Sequence, residues 1–396
     1  MYFTENHEAF RHSFKSFLQK EIVPNVDKWE QQGYIDKEAF QKFGEMGYFG
    51  LSFPEKYEGL NLDFFYTVVF LEELQKINSG GTAAAIWAHT YLAMPHINAE
   101  GSEQLKNEYL TPSILGEKVG CLCISEPFAG SDVAGIRTTA TKNKEGNYLI
   151  NGSKIFITNG MYSDYLIVAA KTNPLEKHKG IGMFLLDRNM PGISSTNLKK
   201  LGWKASDTAE ISFDNVEVSA THLLGEEDKG FSYIMRHFAS ERLIMAINAH
   251  ASAEYALDYT LNYMSTRTSF GKKLDTFQAL RHKIAEMASE VELCKTYNYT
   301  IANKLDKGDY VVKEASIAKL TSTKMADSVI NECLQLLGGY GYMEEYPLAR
   351  LWRDSRLGRI GGGTSEILKE IIAKMIIDKK DYKQPVDQQK ELISKT

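Results

Sequence analysis

Tyr148-Leu-Ile-Asn-Gly-Ser-Lys-Ile-Phe-Ile-Thr-Asn-Gly160 is the stretch on which the fold turns. Two short apolar runs, Tyr148-Leu149-Ile150 and Lys154-Ile155-Phe156-Ile157-Thr158, flank the turn pair Asn151-Gly152. A second turn pair, Asn159-Gly160, closes the segment. Short β-branched and aromatic runs punctuated by Asn-Gly predict strands. Working outward, Tyr165–Ala170, Met183–Leu186 and Ala209–Phe213 read the same way, separated by Glu145-Gly146-Asn147, Asn173-Pro174 and Pro191-Gly192. Several strands with no helical segment between them predict an antiparallel barrel or sandwich over residues 119–225 and argue against a doubly wound sheet. Cys121 and Cys123, two apart in a β-like run, fall on one face of a further strand.

On both sides the texture is helical. Residues 1–118 read as short helices with loops at Pro24, Pro54 and Pro95. Phe10, Phe14, Phe17 and Leu18 recur at helical spacing, as do Val69, Phe70, Leu74 and Ile77. Ala83-Ala84-Ala85-Ile86-Trp87-Ala88 predicts a small-residue helix packed closely on a neighbour. No proline occurs between Pro191 and Pro347. Phe231–Thr266, Phe277–Leu305, Tyr310–Leu337 and Ser365–Ile377 predict four helices with short joins, hence a four-helix bundle over 226–380. A polar tail, 381–396, follows. The fold class is α+β and mostly α.

With 396 residues, 43% hydrophobic and 24% charged, the chain has ample material for a multidomain core. A net charge of −5 argues against a general nucleic-acid binder, which needs a broad basic face. The four cysteines lack the partners that a zinc site or a disulfide framework requires, and a reducing cytoplasm fits them best. No basic-then-apolar leader opens the sequence, so no signal or transit peptide is expected. No apolar run is long enough to span a membrane. There is no GxGxxG after a strand, no GxxxxGK[ST], no HExxH and no GxSxG, which weakens the nucleotide-dependent and common hydrolase readings.

Two features do point to chemistry. Ile234, Phe238 and Met245 form a buried-type stripe on the first long C-terminal helix, and Glu241 falls on it. A carboxylate there either has the raised pKa of a general base or is paired with Arg242 or led out to solvent. Directly before the last helix, Gly361-Gly362-Gly363-Thr364-Ser365-Glu366 is either an ordinary loop or a close-approach cradle. In the second case Thr364 or Ser365 caps a helix whose N–H groups face a ligand.

Five ordered motifs then resemble the acyl-CoA dehydrogenase family. They are Cys123-Ile-Ser-Glu-Pro-Phe-Ala-Gly-Ser-Asp-Val-Ala-Gly135, Asn151-Gly-Ser-Lys-Ile-Phe-Ile-Thr-Asn-Gly160 and Arg267-Thr-Ser-Phe-Gly-Lys272 with Gln278. Gln335-Leu-Leu-Gly-Gly-Tyr-Gly-Tyr342 (followed by Tyr346-Pro347 and Arg353-Asp354) and Gly363-Thr-Ser-Glu-Ile367 complete the set. The resemblance covers about residues 5–380. It implies an N-terminal helical domain, a middle β-barrel and a C-terminal bundle, assembled as a homotetramer of dimer pairs. It also implies non-covalent FAD, an acyl-CoA substrate oxidised to trans-2-enoyl-CoA, and electron-transfer flavoprotein as acceptor.

By the same resemblance, Ser125, Phe156 and Thr158 meet the flavin ring, with Phe156 where the family often has Trp. Ser131 meets flavin phosphate or CoA. Arg267, Phe270, Gln278, Gln335, Gly338 and Gly339 hold the pyrophosphate and adenine across a dimer interface. Thr364 and Glu366 complete the cofactor set, while Phe238, Arg242 and Gly361 line the substrate. The Gly362 N–H, with a flavin ribityl hydroxyl, clamps the thioester carbonyl. One departure is informative. Many members carry their catalytic Glu two residues before the Thr of Gly-Thr-Ser, where this chain has Gly362. The long-chain and isovaleryl branch carries it on the bundle helix immediately before an Arg, and Glu241-Arg242 matches that arrangement. The resemblance leaves the substrate between longer straight chains of fatty-acid β-oxidation and branched short ones. An acyl-CoA oxidase and a non-catalytic acyl-CoA-binding relative are the competing readings.

Overall fold

Thr4 starts the first helix: its hydroxyl accepts from the His7 N–H while the His7 ring accepts from the Thr4 N–H, so each end of the cap satisfies the other. The computed structural model describes residues 2–176, 178–380 and 382, and the expected polar tail, Tyr382 apart, lies outside the described residues. Helix α1 (Glu5–Phe17) stacks Phe14 on Phe70 of α2 (Phe64–Gln75) and buries Phe17 against Phe43 and Tyr48. Helix α2 is buried on almost every side, Glu72 and Glu73 included. The small-residue run forms α3 (Gly80–Ala88). A Cβ at Gly81 would fall 2.8 Å from the Ala205 nitrogen, so the helix lies on the 203–206 loop at a distance only glycine permits. Two of the expected proline loops are instead helical. Pro24 sits in a 3-10 turn and Pro95 near the start of Met94–Glu100, each directly after a wide helical turn, Leu18–Ile22 and His89–Ala93, that already interrupts the regular hydrogen-bond ladder.

The middle segment forms one sheet from β1 (Gly120–Cys123), β2 (Thr139–Lys142), β3 (Tyr148–Thr158), β4 (Tyr165–Lys171), β5 (Ile181–Asp187), β6 (Ile193–Asn197), β7 (Thr208–Val218) and β8 (Leu223–Leu224). The order is β6-β7-β3-β2-β4-β5-β8, with β1 also on β4. This corrects the antiparallel barrel in two respects. The sheet is not closed, since β6 and β8 are its two ends. It is also mixed: β4 runs parallel to β1 and β2, and is buried at every residue as a central strand in parallel pairing tends to be. Asn151-Gly152 is likewise no hairpin turn. Strand β3 continues through it with a register shift against β7, and a Cβ at Gly152 would come within 2.6 Å of Thr138 Oγ1. The glycine serves a close strand approach rather than a reversal. Cys121 and Cys123 share the expected face, buried with their sulfurs 3.7 Å apart.

The C-terminal helices are α4 (Gly230–Thr266), α5 (Gln278–Asp306), α6 (Val312–Leu336), α7 (Pro347–Ser355) and α8 (Ser365–Ile376). All but α7 follow the expected ranges closely. Helix α7 is short and starts at Pro347, so periodicity alone does not reveal it. Helix α4 packs along α6, with α5 and α8 against α6, and together they make the four-helix bundle. Asp354 on α7 ties three parts of the chain together: its carboxylate accepts the Trp203 N–H at 2.6 Å and the Gly80 N–H at 3.0 Å. Among the described residues no helix is long and apolar enough to cross a membrane.

Candidate active site

The stripe on α4 is as the spacing requires: Ile234 and Glu241 are buried, Phe238 and Met245 half-buried. Glu241 is 8% exposed and forms no ion pair with any described residue, and its Oε1 has no hydrogen-bond partner. Burial pushes its pKa up to about 8, against the pull of neighbouring Arg242. It is therefore neither clamped to Arg242 nor led out to solvent. Arg242 is turned elsewhere, with Nη1 donating to Ser316 Oγ at 3.4 Å and its guanidinium 5.4 Å from the Phe238 ring centre.

The glycine loop faces the same helix. Gly362 and Gly363 lie at φ +62° and +91°, which L side chains rarely adopt. A Cβ at Gly362 would stand 2.4 Å from Met245 Sδ, one turn beyond Glu241. The Gly362 N–H donates to no described residue. On one side the Gly361 N–H is held by the Leu357 carbonyl at 2.9 Å. On the other Thr364, not Ser365, caps α8 by accepting the Ile367 N–H at 3.4 Å. From α6, Lys319 Nζ donates to the Gly363 carbonyl at 2.6 Å. So α4, α6 and the loop converge around one unpartnered carboxyl oxygen and the unpartnered N–H groups of Gly362 and Gly363. Glu366 is exposed on the first turn of α8.

The sheet presents a second group. The Ser125 carbonyl accepts the Ile155 N–H at 2.9 Å, which ties the loop after β1 to β3. Glu126 fixes that loop further by accepting the Arg137 and Thr138 N–H groups and pairing with buried Lys154 at 2.8 Å. Burial opposes the Glu126 charge, but Lys154 and these donors hold its pKa below the ordinary range. A register shift between Lys154 and Ile157 throws Phe156 outward, 69% exposed at φ +62°. An aromatic ring on a strained bulge is what a sheet makes when it aims a side chain at something. Thr158 is half-buried beside it and Ser131 exposed on the loop.

The third group stands apart. Arg267, Gln278, Gln335, Gly338 and Gly339 are exposed. Phe270 is 93% exposed at the tip of a two-stranded ribbon, Thr268–Ser269 with Lys272–Lys273. Phe270 and Gly271 both have positive φ there, as a tight hairpin demands. Arg267 lies over the Tyr340 ring, 5.5 Å from its centre. Among the described residues no hydrogen bond or ring contact joins this group to Glu241.

An orphaned buried carboxyl oxygen, a free loop N–H, a glycine cradle that a Cβ would fill and an outward aromatic ring together fit a large cofactor with an apolar ring system, and FAD is such a group. Sequence reasoning missed Lys319 and the Lys154–Glu126 pair. Lys319 had a readable signal: Ala315, Ala318, Lys319 and Ser322 recur at helical spacing on a buried face, and a lone lysine there is as anomalous as Glu241.

Comparison with known proteins identifies the family. Three family models match in order: acyl-CoA dehydrogenase N-terminal domain at residues 4–117, middle domain at 121–216 and C-terminal domain at 228–377. The long-chain specific acyl-CoA dehydrogenase of Mus musculus is 38% identical over 385 residues, covering 95% of this chain and 87% of that one. The isovaleryl-CoA dehydrogenase of Solanum tuberosum is 34% identical, covering 94% and 90%. The crystal structure of an acyl-CoA dehydrogenase from Geobacillus kaustophilus superposes with a TM-score of 0.92 at 42% identity, covering 95% and 99%. The chain belongs to the acyl-CoA dehydrogenase family, whose members are FAD-dependent oxidoreductases.

Proposed function

We propose that the chain removes hydrogen from Cα and Cβ of an acyl-CoA thioester, giving the trans-2-enoyl-CoA, with Glu241 as the base that takes the α-proton. The observation that carries this is the unpartnered Glu241 oxygen on an apolar stripe, with its pKa raised to about 8. A carboxyl poised near neutrality is suited to accept a proton. The α-hydrogen of a thioester is too weakly acidic for a carboxylate to ionise unaided. The free Gly362 N–H supplies a donor to the carbonyl oxygen, and that bond strengthens as enolate charge develops. Bound FAD supplies the acceptor for the β-hydride. Ser125, Ser131, Phe156, Thr158, Thr364 and Glu366 hold it on one side. Arg267, Phe270, Gln278, Gln335, Gly338 and Gly339 form a second, exposed set that reaches a neighbouring copy in a homotetramer. Phe238, Arg242, Ser131 and Gly361 receive the acyl-CoA, and electron-transfer flavoprotein takes the electrons.

The favoured substrates are longer straight acyl chains, with fatty-acid β-oxidation as the setting. A small, partly open pocket adjoins Met245, lined by Trp87, Trp203, Ala249 and Leu351 together with the polar Gln75, Asn248 and Asp354. The preference for longer chains rests on the resemblance around Gly338–Tyr346 and Glu366–Glu370 rather than on this pocket. The runner-up is a branched short-chain thioester of the isovaleryl type, supported by the relative with that activity.

The test is anaerobic flavin bleaching across acyl-CoAs of graded length and branching, repeated with Glu241→Gln. The variant is expected to retain FAD and bind acyl-CoA, while bleaching slows by about 10²–10⁴-fold or more, the scale of a lost general base. Bleaching at the wild-type rate removes Glu241 from the role.

A further inference from the structure

Lys319 is wholly buried on α6 and forms no ion pair with any described residue. Burying an ammonium is costly unless something is gained by it. Its one hydrogen bond among the described residues runs to the Gly363 carbonyl at 2.6 Å, 44 residues along the chain. That acceptor belongs to a loop with no side chain of its own to anchor it, since Gly361, Gly362 and Gly363 follow one another. Two of the three sit at positive φ, where the backbone has many accessible states to lose. The loop is tied at its start by the Leu357 carbonyl and at its end by the Thr364 cap. The peptide that presents the free Gly362 N–H lies between those ties, and Lys319 is the group that reaches its neighbour.

We propose that Lys319 is a positioning residue: its bond to the Gly363 carbonyl holds the glycine loop so that the Gly362 N–H stays aimed at the thioester oxygen. The inference rests on the acyl-CoA reading given above. Burial and the nearby Arg242 push the Lys319 pKa down to about 8, against the attraction of Glu366. The site thus tolerates this ammonium at some expense, as expected of a group kept for what it holds rather than for stability. A lysine that merely filled space would leave the choice between ligands with and without a carbonyl untouched.

The experiment uses the FAD-loaded protein in the Glu241→Gln background, so that ligands bind without turning over. Two probes are compared by titration: an acyl-CoA thioester that the wild type oxidises, and the CoA thioether of equal chain length, which lacks the carbonyl. With Lys319 intact the thioester binds more tightly. Lys319→Met is expected to weaken the thioester about 10-fold, the loss of one charge-supported hydrogen bond, and to leave the thioether within about 2-fold. With Glu241 restored, Lys319→Met lowers kcat about 100-fold with a smaller change in KM, as for a donor whose bond matters most in the transition state. Equal weakening of both probes, or of neither, overturns the proposal. If Lys319→Met does not fold with FAD, Lys319→Ala, which likewise has no donor for the Gly363 carbonyl, carries the same comparison, and an unchanged ratio there overturns it equally. If no acyl-CoA bleaches the wild-type flavin, the acyl-CoA reading falls and takes this inference with it. If bleaching persists and the ratio ignores Lys319, only the role of Lys319 falls.

Discussion

At Glu241 the penalty of burial falls on the ionised form alone, which fixes the sign of two pH effects. The folded pKa, about 8, stands above the ordinary value of 4.5, so between these limits the folded protein holds a proton that the unfolded chain has released. Stability from this group therefore falls as pH rises from about 4.5, and the full cost is present above about 8. Glutamine carries no such cost. Glu241→Gln, melted as FAD-loaded protein without acyl-CoA, is expected to gain on the wild type by a few kcal/mol between pH 5 and pH 9. The rate has the opposite sign, because the base must be ionised: wild-type kcat/KM rises with pH to a plateau above about 8. A flat melting difference together with a flat kcat/KM profile excludes Glu241 as the group that titrates. Glu241 was legible in the sequence because a charge on an apolar stripe breaks the period that surrounds it. Gly362 was singled out only through resemblance: nothing in a run of glycines sets one N–H apart, and Met245, whose sulfur fills the space a side chain there would need, lies far away along the chain.

Strand β3 and the loop after β1 show how an element inherits its shape from one buried pair. Lys154 is 0% exposed and its ammonium meets both the Glu126 carboxylate at 2.8 Å and the Ile124 carbonyl at 3.0 Å. Glu126 in turn holds two backbone N–H groups, so the pair closes the loop that carries Ser125 and Ser131 onto the strand that carries Phe156. Lys154→Met leaves that carboxylate buried without its counter-charge. The expected cost is about 3–5 kcal/mol by thermal or urea melting. FAD absorbance lost on gel filtration should accompany it, and Lys154→Met with Glu126→Gln should be less damaged than the two single losses summed. Full FAD retention in a destabilised Lys154→Met would show that the loop keeps its form without the pair. Strands β1, β3, β4, β5 and β7 were readable from apolar runs between turn residues, whereas β2, β6 and the two-residue β8 carry no such run and were not expected. The bulges were not readable either, because Asn151-Gly152 carries the same local signal whether the chain reverses or Thr138 presses against a strand that runs on.

For the molecule as a whole, the open question at sequence level was how the blocks join, since contacts between distant segments leave no period to read. Closure of the sheet was illegible for the same reason: it depends on whether β6 and β8 meet, not on either strand alone. The join itself runs through Glu72 on α2, 3% exposed, whose carboxylate accepts from Arg11 of α1 at 2.8 Å, from His250 of α4 at 3.2 Å and from the Tyr299 hydroxyl of α5. Burial works against this charge. His250 and Arg11 outweigh it, however, and bring the pKa down from 4.5 to about 2. A depressed carboxyl pKa means that the unfolded chain binds the proton first. The stabilisation is therefore present above about 4.5 and is lost as pH falls through about 2, a span worth roughly 3 kcal/mol. Glu72→Gln should cost about 3 kcal/mol at pH 7, where Arg11 and His250 are left facing a neutral amide. It should also flatten the decline in stability between pH 4.5 and pH 2, so that variant and wild type converge in acid. Denaturant melts at stepped pH measure both. Parallel curves that never converge would place the acid sensitivity of the N-terminal helices on the bundle somewhere other than Glu72.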